Sequence, residues 1–146
     1  MMQIKTFNYT WQQFDEDTKA IQSRIDFSKY DMVIGIASGG LPLLTKLVNI
    51  SKLPYEVIQC QSYKKTEREE PYVGYVPTFL LNNKKLLLVD DCVDSGNTMS
   101  ALIGRMKTQA SSIDVLVLCY KPQSIVIPTY YIHSIGNDTW INFPWE

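Results

Sequence analysis

The sequence predicts an α/β fold, a mainly parallel central sheet flanked by helices on both faces. Three observations carry this. Short apolar runs recur at residues 32–37, 86–89 and 113–120, each edged by charged or small residues. Two of them lead into glycine-containing loops, at 38–40 and 94–98, and helix-like stretches follow at 41–50 and 99–107. Strands that are apolar throughout and alternate with helices belong to a parallel sheet covered on both sides. In such a sheet the loops at the carboxyl ends of the strands share one edge, where ligands bind. The loops at 37–40, 91–98 and 121–122 are expected to meet there.

Composition bounds the rest. The 146 residues suit a single domain spanning 1–146, and the chain is 45% hydrophobic, enough for a core. Lys plus Arg number 14 and Asp plus Glu 15, for a net charge of −1. That balance argues against a nucleic-acid partner held by bulk electrostatics and leaves only a local basic patch open. No run of apolar residues is long enough to span a membrane, and the first residues lack the layout of a secretory signal. Cys60, Cys92 and Cys119 lie in or beside apolar segments without C-x-x-C spacing. They read as reduced thiols of a cytoplasmic protein, and with a single histidine they argue against zinc.

Taken in order, Thr10 and Gln13 form a capping-box pattern. Trp11, Phe14, Ile21 and Ile25 then recur at helical spacing, giving an amphipathic helix over 11–25 that serves as core cover. Residues 32–37 form a strand broken by Ser38-Gly39-Gly40, and a helix follows over 41–50 with Pro42 in its first turn. The Ser38–Gly40 turn is a second candidate anion cradle, or a turn chosen for shape alone. Residues 55–61 form a strand. The polar stretch 62–77 is long for a compact domain, which makes it a lid, a disordered segment or a solvated flap. Further strands fall at 113–120, ended by Lys121-Pro122, and at 130–135, where His133 has a structural place. The aromatic end, 137–146, reads as a plug over the core, a partner surface or a stacking platform.

The central stretch is Leu86-Leu-Leu-Val-Asp90-Asp91-Cys-Val-Asp94-Ser95-Gly96-Asn97-Thr98. A buried strand ends in two acids whose side chains should point to opposite faces and do different work. A small polar loop then opens a helix. Free amide N–H groups and the positive end of the helix dipole make that place suited to a phosphate. Gly96 keeps side-chain bulk away, and Ser95 and Thr98 offer hydroxyls. Neither G-x-x-x-x-G-K-[ST] nor G-x-G-x-x-G occurs, so the stretch is not a nucleoside-triphosphatase loop or a dinucleotide turn. An ordinary strand-to-helix turn capped by acids is the competing reading.

The order of that stretch closely resembles the ribose-phosphate motif of the type I phosphoribosyltransferases. The resemblance extends to Ala37-Ser38-Gly39-Gly40, which matches the pyrophosphate loop, although Ser38 stands where many relatives carry Arg or Lys. Ser62-Tyr63 resembles the start of the loop that closes over the site in purine enzymes, so Lys64, Lys65 and Arg68 could bring cations to the pyrophosphate. Lys121-Pro122 and the closing Trp140-Ile141-x-x-Pro144-Trp145 are similar to the xanthine–guanine and related 6-oxopurine members. The resemblance implies a flexible loop, a small C-terminal hood from about residue 121, and a homodimer or homotetramer.

It also implies transfer of ribose 5-phosphate from phosphoribosyl pyrophosphate to a 6-oxopurine, guanine, xanthine or hypoxanthine, with release of pyrophosphate in purine salvage. Ser95, Gly96, Asn97 and Thr98 would hold the 5-phosphate. Asp90 and Asp91 would face the ribose diol, directly or through water on Mg2+. Asp94 would be the general base toward purine N7, with helix capping as its other reading. Lys121 would select a base bearing oxygen at position 6, Trp140 would stack on the purine, and the backbone at Ile141 would read position 2. A non-catalytic regulator on the same fold, sensing phosphoribosyl pyrophosphate or a nucleotide, and a transferase for another base are the rival functions.

Overall fold

The computed structural model describes residues 4–62 and 71–146. The expected loop residues Tyr63, Lys64, Lys65 and Arg68 lie outside the described residues; Ser62 is described and exposed. The chain runs β1 (Lys5–Asn8), α1 (Trp11–Arg24), β2 (Met32–Ala37), α2 (Leu41–Ser51), β3 (Tyr55–Gln61), β4 (Tyr72–Val73), α3 (Thr78–Leu81), β5 (Lys85–Val93), α4 (Asn97–Met106), β6 (Ser112–Tyr120), β7 (Tyr130–Ser134) and β8 (Thr139–Asn142). Among the described residues no helix is long and apolar enough to cross a membrane, and the three cysteines are free.

Six strands form the main sheet in the order β4-β3-β2-β5-β6-β7. All of its pairings are parallel except β3 with β4. From β2 the chain moves outward to β3, and from β5 it moves the other way to β6. Right-handed crossovers therefore send the two connecting helices to opposite faces. The burial agrees. Leu43, Leu44 and Leu47 of α2 join Phe14 and Ile21 of α1, Val33, Leu87 and Leu116 in one core. Met99, Leu102 and Met106 of α4 join Ile34, Leu86, Leu88 and Val117 in the other. The crevice between the carboxyl ends of β2 and β5, where the order reverses, is the place such a sheet reserves for a ligand.

The helix signals act as their chemistry requires. Thr10 accepts from the Gln13 amide at 3.0 Å and caps α1. The Gln13 side chain also ties the first turns of α1 together, its Nε2 donating to Asp17 Oδ1 at 2.9 Å. Pro42 sits in the first turn of α2, where its missing N–H costs no helical bond.

Two elements differ from the sequence expectation. The last strand at β7 belongs to the main sheet as its edge, so the hood does not begin as a unit at residue 121. Its strand, β8, instead pairs in parallel with β1 from the other end of the chain. The central strand also runs on through Val93, past both acids. At its end the two-residue alternation slips: Val89 and then Cys92 face one core, Leu88 and then Val93 the other. β6 slips at the same level, with Leu118 and Cys119 on one side, and pairing resumes at Cys92 opposite Cys119.

Candidate active site

A pocket of about 720 Å³ opens at the carboxyl ends of β2, β5 and β6. It brings together Ala37, Ser38 and Gly39, Ser62, Asp90 and Asp91, Asp94 to Thr98, Lys121, Trp140 and Ile141. These come from five separate stretches of sequence, and their convergence follows from the parallel sheet. Gly40 lies behind the wall. It is buried at the start of α2, where a Cβ would stand 2.7 Å from the Ile36 carbonyl oxygen and 2.8 Å from that of Val89. Its lack of a side chain serves backbone packing beneath the loop.

The floor is the acid pair. Asp90 Oδ1 accepts from the Asp91 amide at 2.8 Å, and Asp91 Oδ2 accepts from Trp145 Nε1 at 3.2 Å. Desolvation first, and then the charge of Asp91, push the Asp90 carboxyl well above the usual carboxylate range. Desolvation also raises Asp91, against the opposing hydrogen bond from Trp145. The thiol of Cys60 is pushed up to about 11 by burial and then by the Asp90 charge, so Asp90 lies on the Cys60 side and Asp91 on the Trp145 side. The two carboxyls also act on each other, through charge and a side-chain hydrogen bond, so strand alternation does not hold them fully apart.

The 94–98 loop is shaped by close approach. Gly96 takes φ 85, in the left-handed region, and a Cβ there would run into Ser124 and stand 2.9 Å from the Val126 amide. Lys121 N–H donates to Val93 O and Ile125 N–H to Ser95 O, so the 121–125 segment is fastened along the loop. Asn97 N–H meets Ser95 Oγ at 3.3 Å, a local bond at the helix start. α4 then begins at Asn97 with no side-chain cap on Gly96, leaving its positive end toward the pocket.

Asp94 does not cap this helix. Its Oδ2 lies 3.3 Å from Lys121 Nζ, and its Oδ1 accepts from the side-chain amide of Gln123. The two residues that sequence reasoning assigned to the base are therefore partners of each other. Trp140 is half exposed on the pocket wall, with its Nε1 bonded to Asn142 Oδ1, and Ile141 is buried. His133 lies elsewhere, 2.8 Å from Asp17 and packed among aromatic rings, in the structural place expected of it.

Sequence reasoning missed Gln123 and Trp145 as members of the site. Gln123 carried no local signal. Trp145 stood within the aromatic tail, but nothing in the sequence tied it to Asp91, 54 residues away. Among the described residues no cluster of three or more His, Cys, Asp or Glu side chains is placed to hold a metal ion. Asp90 and Asp91 alone are a two-carboxylate oxygen set. It suits a hard cation that keeps most of its waters, and such a cation would favour the charged form of carboxyls that desolvation holds raised.

A parallel sheet with an open helix start at its switch point, and a pocket there lined by two acids and an indole, suits a protein that handles a phosphorylated sugar and a base. Residues 9–146 match the phosphoribosyl transferase domain family, and the chain belongs to that family. It is 31% identical to the xanthine-guanine phosphoribosyltransferase of Cereibacter sphaeroides, over 97% of this chain and 87% of that one. The crystal structure of a purine phosphoribosyltransferase from Pyrococcus horikoshii superposes with a TM-score of 0.83 at 32% identity, covering 97% of this chain and 94% of the other. A hypothetical protein from Neisseria gonorrhoeae, solved with bound ppGpp, superposes at 0.80 and 25% identity, covering 100% and 92%.

Proposed function

We propose that this chain is a purine phosphoribosyltransferase that moves ribose 5-phosphate from phosphoribosyl pyrophosphate to a 6-oxopurine and releases pyrophosphate, serving purine salvage in the cytoplasm as a homo-oligomer. The bond from the anomeric carbon to the pyrophosphate oxygen breaks, and a bond from that carbon to purine N9 forms. The N–H proton lost by the base goes to Asp94.

One observation carries the choice of base: the Asp94–Lys121 pair lines the same pocket as the helix start at 95–98 and stands directly beside it. Lys121 can only donate, so it suits an oxygen at position 6 and opposes the amino group of adenine. Trp140 supplies a face for the ring, and the amides and hydroxyls of 95–98 suit the 5-phosphate. Ser38 and Gly39 offer the pyrophosphate a hydroxyl and backbone without a cation. The segment carrying Lys64, Lys65 and Arg68 is the proposed source of positive charge there.

Asp90 and Asp91 would hold Mg2+, mostly through its waters. When bound, the ion neutralises charge on the departing pyrophosphate. The same two carboxylates favour positive charge developing on the ribose ring.

The test is incubation of the protein with magnesium, phosphoribosyl pyrophosphate and a panel of bases, following nucleotide and pyrophosphate. Guanine, xanthine or hypoxanthine should be converted and adenine and pyrimidines left. Tight binding of phosphoribosyl pyrophosphate without turnover on any base would favour a sensor. The Neisseria relative's ligand supports a second reading of the same pocket. A guanine nucleotide bearing two diphosphates would be a competitor, expected to raise the apparent KM for phosphoribosyl pyrophosphate.

A further inference from the structure

Asp91 is held between two segments that are distant in sequence. On one side is Gly39, where a Cβ would stand 2.5 Å from Asp91 Oδ2, so the loop backbone lies directly against the carboxylate. On the other side Trp145 Nε1 donates to that same oxygen at 3.2 Å. The indole is itself fixed. It stacks on Phe143 at 5.0 Å and 18° and meets Trp11, Phe14 and Tyr9 at 5.4, 5.5 and 5.7 Å.

A carboxylate on a short side chain turns easily about its last bond. A donor on a ring packed from several directions is a fixed point, and a bond to it limits that turning. We infer that Trp145 is a positioning residue for Asp91: its indole N–H sets the carboxylate against Gly39 in the orientation that meets the ribose diol of phosphoribosyl pyrophosphate. This rests on the phosphoribosyl reading of the pocket. The ring and its N–H have separable roles, because a phenyl ring keeps much of the packing and removes the donor.

The experiment is calorimetric titration with phosphoribosyl pyrophosphate in the presence of magnesium, alongside steady-state kinetics, on the wild type, Trp145→Phe, Asp91→Ala and the double variant. Trp145→Phe should weaken phosphoribosyl pyrophosphate binding about 3–10-fold, the scale of one net hydrogen bond, and raise its KM alike. The KM for guanine should stay within twofold. In the Asp91→Ala background the same change should add nothing, since its effect runs through Asp91. Wild-type binding by Trp145→Phe, or an undiminished loss in the Asp91→Ala background, overturns the inference and leaves the pocket's assignment standing. A wild type that does not bind phosphoribosyl pyrophosphate overturns both.

A reading that needs no variant is the indole proton of Trp145 in tryptophan-labelled protein. It should shift on addition of magnesium phosphoribosyl pyrophosphate while that of Trp11 stays. An unmoved Trp145 signal counts against the inference.

Discussion

Asp94 and Lys121 meet at 3.3 Å beside the 95–98 helix start, with the lysine side chain 7% exposed and the aspartate 49%. A nearly buried ammonium is thereby matched to a carboxylate that still reaches the pocket. Adjacent parallel strands create the pair: β5 and β6 run in register to Val93 opposite Tyr120, and each residue follows within one step of its strand's end. In the reaction proposed above, a base entering there would meet an acceptor and a donor already set side by side.

Asp94→Asn keeps the shape and the contact with Gln123 but removes the proton acceptor. Turnover should fall by about 10²–10⁴-fold, the usual worth of general acid–base help. Binding of phosphoribosyl pyrophosphate should change little. Rapid-quench or steady-state rates beside calorimetric binding check this, and wild-type turnover would remove Asp94 from proton transfer.

Lys121→Met keeps the buried stem and removes the charge. A hydrogen bond from a charged donor to the base is worth about 1.5–3 kcal/mol. The value of kcat/KM with guanine or hypoxanthine should therefore drop about 10–10²-fold, and the low activity with adenine should not drop with it. Parallel loss with both kinds of base would mean that Lys121 orders the loop and does not choose the base.

How far the sequence discloses this arrangement depends on range. The buried strands at 32–37, 86–89 and 113–120 were legible because an apolar run between charged or small residues has few other uses. β1 and β8 were not, since Lys5–Asn8 and Thr139–Asn142 are four-residue strands, mostly exposed, without a clear apolar alternation. The loop residues were readable because their chemistry lies within one turn of chain. The Asp94–Lys121 and Asp91–Trp145 contacts span 27 and 54 residues and follow only from strand order and the path of the tail. Asp17 broke the helical pattern as a buried acid on α1, and its reason, a tyrosine before the helix and a histidine on β7, is tertiary.

The acid pair gives a pH dependence with a definite sign. Folding raises the carboxyls of Asp90 and Asp91, mainly by desolvation. A carboxyl raised on folding binds more protons folded than unfolded, so its contribution to stability is lost as pH rises from the unfolded value, about 4, through the folded one. The ligand-free protein should thus lose stability over that window. Asp90→Asn should raise Tm at neutral pH, flatten the profile and reduce activity sharply, a trade of stability for function. Its carboxamide oxygen can still accept from the Asp91 amide. Thermal melts from pH 4 to 8 check this, and an unchanged slope in the variant would show that the cost lies elsewhere.

Asp17 tests whether the cluster behind the pocket is a scaffold. It is 3% exposed and accepts from the Tyr9 hydroxyl, from Gln13 Nε2 at 2.9 Å and from His133 Nε2 at 2.8 Å. One carboxylate therefore joins Tyr9 on the approach to α1, α1 itself and edge strand β7. Burial and the bond to Asp17 raise the Tyr9 hydroxyl far above its usual range, so it stays a donor at every working pH. Asp17→Ala leaves the buried Tyr9 hydroxyl, and an imidazole that is 25% exposed, without their acceptor. The cost should be about 1–3 kcal/mol, and at roughly 2–4 °C per kcal/mol for a chain of this size Tm should fall by about 2–12 °C. Asp17→Asn keeps one acceptor oxygen and should lose less. Well below Tm, the kcat of both variants should stay near wild type, because no atom of Asp17 reaches the pocket wall. A fall in kcat at full foldedness would instead place the cluster in the reaction, through the rings of Tyr9 and Trp145.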